Sequence, residues 1–129
     1  MGVGLDLLII PHQFTDQNEW LGYDRLHINK HYRLFEQFGL NSFQPDKEKA
    51  RIDAPIDLYP LDDKKIKVFK DEGIITTQNN RYKNDILYYT YAEEFKKIDL
   101  EIAQSNWSKS IVKFIRNLHS ETIIVFYWT

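Results

Sequence analysis

Leu5-Asp6-Leu7-Leu8-Ile9-Ile10 and Ile123-Ile124-Val125-Phe126-Tyr127-Trp128 are the two stretches whose reading decides the fold. Both are runs of apolar, β-branched and aromatic residues of strand length, too short for a core helix. In the first, Leu5, Leu7 and Ile9 alternate onto one face, Asp6 turns to the other, and Pro11 ends the run. A strand apolar on both faces belongs inside a sheet, so the two runs are expected side by side at its centre.

Working outward, Trp20 to Ile28 contains a second strand with Leu26 and Ile28 on one face. Asn29 can cap a short helix over residues 30–38, which Gly39 terminates. Residues 41–50 read as a polar loop, and residues 52–59, bracketed by Pro55 and Pro60, as an edge strand or extended connection. Lys65 to Thr77 is a hairpin around Asp71-Glu72-Gly73. Ile86 to Tyr89 is another short strand. Thr90 and Glu93 then fit a capping box for a helix carrying Tyr91, Phe95, Ile98 and Ile102. The clearest helix follows Ser105 or Asn106, with Trp107, Ile111, Phe114 or Ile115, and Leu118 as its apolar stripe and Lys109, Lys113 and Arg116 toward water.

This order has no βαβ alternation and no repeat, so the expected class is α+β. The architecture expected is a single domain over residues 1–129, with a mixed or antiparallel sheet of about five to six strands. Two to three helices pack mainly on one face, the last of them over the two terminal strands.

Composition limits the function classes. The chain has 129 residues and no cysteine, which excludes a disulfide framework, a thiol nucleophile and Cys-based zinc sites. No run approaches the roughly 20 apolar residues of a membrane helix, and no basic segment precedes the first strand, so a cytoplasmic location is expected and no membrane contact. With 17 basic and 19 acidic residues the net charge is −2, which disfavours nucleic acid as a partner. Aromatic residues reach 15%, enough to supply both a ring-filled core and surface anchors.

The opening Met1-Gly2-Val3-Gly4-Leu5-Asp6-Leu7-Leu8-Ile9-Ile10-Pro11, the segment Tyr32-Arg33-Leu34-Phe35 and the closing Ile123 to Trp128 together resemble a group of small uncharacterised bacterial proteins. Those open on a Gly-apolar-Asp-apolar run and close on an apolar-Tyr-Trp strand. The resemblance implies a bacterial or phage setting and one compact domain. It implies no activity and no site.

Among chemistry-bearing residues, His12, Asp16, His27 and His31 have the donor types of a zinc or iron site, and His27 and His31 are four residues apart. A helix starting at Asn29 would leave His27 on a strand and separate the two rings. His27-Ile28-Asn29 and His119-Ser120-Glu121 are similar to the paired His-x-Thr/Ser motifs of some phosphoesterases but lack the hydroxyl residue in third position. The carboxylate pairs Asp62-Asp63 and Glu93-Glu94 suit a turn and a helix start. Basic and aromatic residues mix between Lys64 and Lys83, yet acidic residues interleave throughout. No phosphate loop, nucleophile elbow or His-Glu-x-x-His run occurs.

Phe14, Trp20, Tyr23 and Phe43 lie in or beside expected loops, where large rings act as core plugs or as anchors for a protein partner. The leading expectation is a non-enzymatic protein-interaction module of accessory, immunity or inhibitor type, with a protein partner or self-association and no cofactor. The alternatives are a small metal-dependent or histidine-based hydrolase, and a nucleic-acid-binding domain.

Overall fold

The two apolar hexapeptides are adjacent and antiparallel. In the computed structural model, which describes residues 4–12, 19–22, 25–28, 32–38, 55–61, 65–69, 75–78, 81–82, 85–102 and 105–128, Leu5–Ile10 (β1) pairs with Ile123–Trp128 (β10). Leu5 stands opposite Trp128 and Ile10 opposite Ile123. Arg25–Ile28 (β3) flanks β1, Tyr88–Tyr91 (β9) flanks β10, and Tyr59–Pro60 (β4) flanks β9. The result is an antiparallel five-stranded sheet in the order β3-β1-β10-β9-β4, with β10 at its centre.

Alternation along these strands sorts the side chains into two layers. Leu5 and Leu7 of β1, Ile28 of β3, and Ile124 and Phe126 of β10 face the helical layer. There they meet Leu34, Phe35 and Phe38 from the short helix Tyr32–Gln37 (α1) and the residue after it, and Ile111, Val112 and Ile115 from Asn106–Arg116 (α2). Phe95 joins them, and its ring lies 5.4 Å from that of Phe38. Each aliphatic or aromatic side chain removed from water here contributes roughly 1.5–3 kcal/mol before entropy is counted. On the opposite face Leu8, Ile10, Ile123, Val125 and Tyr127 form a second cluster with Trp20, Leu61 and Leu87. The expected alternation of Leu5 and Leu7 against Asp6 is therefore observed, and Leu8 and Ile10, on the Asp6 side of β1, belong to a second core layer.

A smaller sheet accompanies this second layer. Glu19–Gly22 (β2) runs parallel to Lys65–Phe69 (β5), which forms the expected hairpin with Ile75–Gln78 (β6). Arg81–Tyr82 (β7) and Asp85–Ile86 (β8) make a two-stranded ladder. The hairpin does not extend the main sheet. Beyond β9 that sheet ends in the two-residue β4, where Pro60 has no N–H to continue a ladder. Gly22 lets β2 approach β1: a Cβ built there would lie 2.9 Å from Leu8 Cδ1 and 3.2 Å from Ile10 Cγ1.

Two local readings are corrected. The capping box at Thr90 and Glu93 does not form, because Thr90 is still in β9, fully buried, and its hydroxyl donates to the Asp57 carbonyl at 2.6 Å. The segment that follows is a 3-10 helix over Ala92–Lys97, an extended residue at Ile98, and a second 3-10 turn over Leu100–Ile102. Partners from elsewhere satisfy this break. The Arg116 guanidinium donates to the carbonyls of Phe95 and Ile98, and Gln37 Oε1 accepts from the Asp99 N–H.

The second correction concerns α2, whose N-terminus Ser105 caps by accepting from the N–H groups of Trp107 (3.1 Å) and Ser108 (3.3 Å). Its buried face is Ser108, Ile111, Val112 and Ile115. Of the expected stripe, Ile111 and Ile115 are buried and Leu118 packs against the core, whereas Trp107 and Phe114, the alternative to Ile115, lie outside it. Among the described residues no helix is long and apolar enough to cross a membrane.

Candidate functional site

Trp20 is only 6% exposed and meets Tyr89 edge to face, with ring centroids 4.9 Å apart. It is a core residue of the second layer. Phe14, Tyr23 and Phe43, named with it as possible anchors, lie outside the described residues.

The histidines divide between two places. His12, just past β1, stacks on His119 with centroids 3.8 Å apart and the planes 15° from parallel. His119 Nδ1 accepts from the Glu121 N–H at 3.1 Å. His27 sits on β3 opposite Asp6, six residues before His12, and β1 carries them roughly 20 Å apart. Asp16 and His31 lie outside the described residues, and among those described no group of three or more His, Asp or Glu side chains is placed to hold a metal ion.

His27 does acquire a partner: its Nδ1 lies 2.5 Å from Asp6 Oδ1. Register explains the contact. Asp6 and His27 face each other directly across an antiparallel pair, where Cβ atoms come within about 5 Å. The strand itself is held from the helical layer, since Trp107 Nε1 donates to the His27 carbonyl at 2.7 Å. That bond occupies a carbonyl of β3, one of the two edge strands of the five-stranded sheet. In the tautomer whose Nδ1–H donates to the Asp6 carboxylate, Nε2 carries the ring lone pair. The imidazole is 49% exposed and the carboxylate 22%. Asp6 was legible as the one polar residue facing away from the Leu5 stripe, but its pairing depends on a strand register that sequence does not supply.

A third feature is the outer surface of α2. Trp107 is 59% exposed and Phe114 50%, two helical turns apart and therefore on one side of the helix. Ser110, also exposed, lies between them. The expected stripe left Phe114 and Ile115 as alternatives, and the structure takes Ile115: with Ile111 and Val112 it joins the cluster that holds Leu5 and Phe126, while the indole N–H of Trp107 is drawn to the edge of β3.

Beyond β10, Tyr59, Tyr89 and Tyr91 form an aromatic group whose ring centroids are 5.5 to 6.0 Å apart. Burial, followed by the neighbouring Tyr91 and Tyr59 phenols, pushes the Tyr89 hydroxyl above the usual tyrosine range. At those spacings the rings occupy one another's faces, which is packing rather than a cage for a cation. The basic segment between Lys64 and Lys83 falls on side chains outside the described set.

Comparison of the chain with known protein families, with curated proteins and with solved structures finds no match.

Proposed function

We propose that this chain is a non-enzymatic protein-interaction module, of accessory, immunity or inhibitor type, that presents the outer face of α2 to a protein partner. The observation that carries the proposal is the pair of large rings, Trp107 and Phe114, left 59% and 50% exposed on a helix whose other face is packed into the core. Rings of this kind bury large area at little entropic cost and dominate binding energy where they occur at interfaces. A bacterial or phage source is what the resemblance carried by the opening run, the Tyr32 to Phe35 segment and the closing strand implies.

The test is site-specific photocrosslinking from position 110, between the two rings, with Glu101 as a control position. One protein adduct at 110, absent at 101 and lost in Phe114→Ser, is the expected result. The same adducts at both positions, or none at 110, would overturn the proposal.

The Asp6–His27 contact favours a second reading, a histidine-based hydrolase in which His27 Nε2 takes the proton of an attacking hydroxyl or water. Hydrolysis of p-nitrophenyl acetate tests it. A rate that falls to the background of free imidazole in both His27→Gln and Asp6→Asn supports this reading, and a rate unchanged by either substitution removes it.

A further inference from the structure

We infer that the partner of the α2 face is an acidic protein segment with apolar anchors two helical turns apart; this rests on the reading of α2 as an interaction surface. Residues 104–120 contain three cations, Lys109, Lys113 and Arg116, and not one Asp or Glu, within a chain whose net charge is −2. Charge is thus segregated onto the helix that exposes the rings.

The three cations are not equivalent. Arg116 is turned inward, its guanidinium held by the carbonyls of Phe95 and Ile98. Lys109 and Lys113 are successive turns of one row, and among the described ion pairs neither has a carboxylate partner. At 100° per residue the two lysines lie on one flank of the exposed surface and Trp107 and Phe114 on the other, with Asn106, Ser110 and Asn117 between them. The outer face therefore offers an apolar strip beside a positive strip. Its complement is a segment with apolar side chains on one edge and carboxylates on the next.

Two other occupants fit less well. A second copy of the chain related by a two-fold axis would bring the same lysine row against itself or leave it unmatched. A nucleic acid would match the lysines locally, but the acidic remainder of the chain opposes a polyanion beyond the footprint of two lysines, and two rings about 10 Å apart do not form a run of stacking platforms.

The experiment uses fluorescence anisotropy with the full chain and three labelled probes. One is an amphipathic peptide with leucines two turns apart flanked by glutamates, one is the same peptide with lysines for glutamates, and one is oligothymidylate. The acidic peptide is expected to bind about tenfold or more tighter than the lysine peptide, to weaken about tenfold in the double variant K109E/K113E, and to weaken with added salt. Phe114→Ser should remove binding. Because Trp107 also holds β3, the exposed Phe114 is the safer variant, and circular dichroism verifies its fold.

Failure of the acidic peptide to bind, equal binding of both peptides, or indifference to K109E/K113E would overturn the inference. So would tighter binding of oligothymidylate, which assigns the face to nucleic acid, or a dimer in sedimentation that Phe114→Ser dissociates, which assigns it to a second copy. A partner crosslinked at position 110 through a segment without carboxylates would end this inference while leaving the interaction module standing.

Discussion

Asp6 Oδ1 and His27 Nδ1 meet at 2.5 Å from positions directly opposite on neighbouring antiparallel strands. The contact ties an outer strand to a central one. It lies at the water boundary, with the imidazole 49% exposed, so screening limits its worth to about 0.5–1 kcal/mol. A double-mutant cycle with Asp6→Ala and His27→Ala, read from urea denaturation at neutral pH, is expected to give a coupling energy in that range. Coupling indistinguishable from zero would show that the pair does not hold β3 to β1 in solution.

Gly22 of β2 lies tightly against the Leu8 and Ile10 side chains of β1. The Cβ of an alanine there would meet Leu8 Cδ1 and Cγ, both at 2.9 Å, and Leu8 is a fully buried core residue rather than a flexible surface chain. Relief requires β2 to move outward or Leu8 to leave its rotamer, and overpacking of this kind costs about 1–3 kcal/mol. Gly22→Ala should lower the urea midpoint by a corresponding amount. Leu8→Ala in the same chain should then cost less than Leu8→Ala alone, since the added methyl enters the space vacated. Strict additivity of the two substitutions would contradict the close approach.

The central pairing was legible because Leu5 to Ile10 and Ile123 to Trp128 are apolar on both faces, a property that only an interior strand satisfies. The buried Leu34, Phe35, Ile111 and Ile115 follow from helical spacing in the same way. What was not legible depends on distant partners. Thr90 stays in a strand because Asp57, 33 residues away, offers a carbonyl to its hydroxyl. The helix expected to follow it becomes two 3-10 segments, with Arg116 and Gln37 satisfying the backbone groups freed between them. The functional residues fall in the same class. Trp107 is assigned outward by the carbonyl of His27, 80 residues earlier, and Asp6 is partnered by a register between strands that local pattern does not encode.

Glu94 clamps the segment before β4. Its Oε1 accepts from the Asp57 N–H at 2.8 Å and from Lys97 Nζ at 2.8 Å. Burial alone would raise the Glu94 carboxyl, but the hydrogen bonds from Lys97 and Asp57 outweigh it and hold the group below its ordinary value of 4.5. A depressed carboxylate stabilises the fold at pH values above that ordinary value, and the contribution is lost as pH falls through the lower folded value. Lys97, raised chiefly by its hydrogen bond to Glu94, has the opposite sign: its contribution is full below the ordinary lysine value of 10.5 and is lost as pH rises through the raised one. The clamp should therefore act across the whole interval between the two ordinary values and fade outside it. Urea midpoints measured against pH should show an acid limb that flattens in Glu94→Gln, whose amide oxygen still accepts from Asp57, and an alkaline limb that flattens in Lys97→Met. An acid limb identical in wild type and Glu94→Gln would mean that the carboxylate is not protonated differently in the folded and unfolded chains.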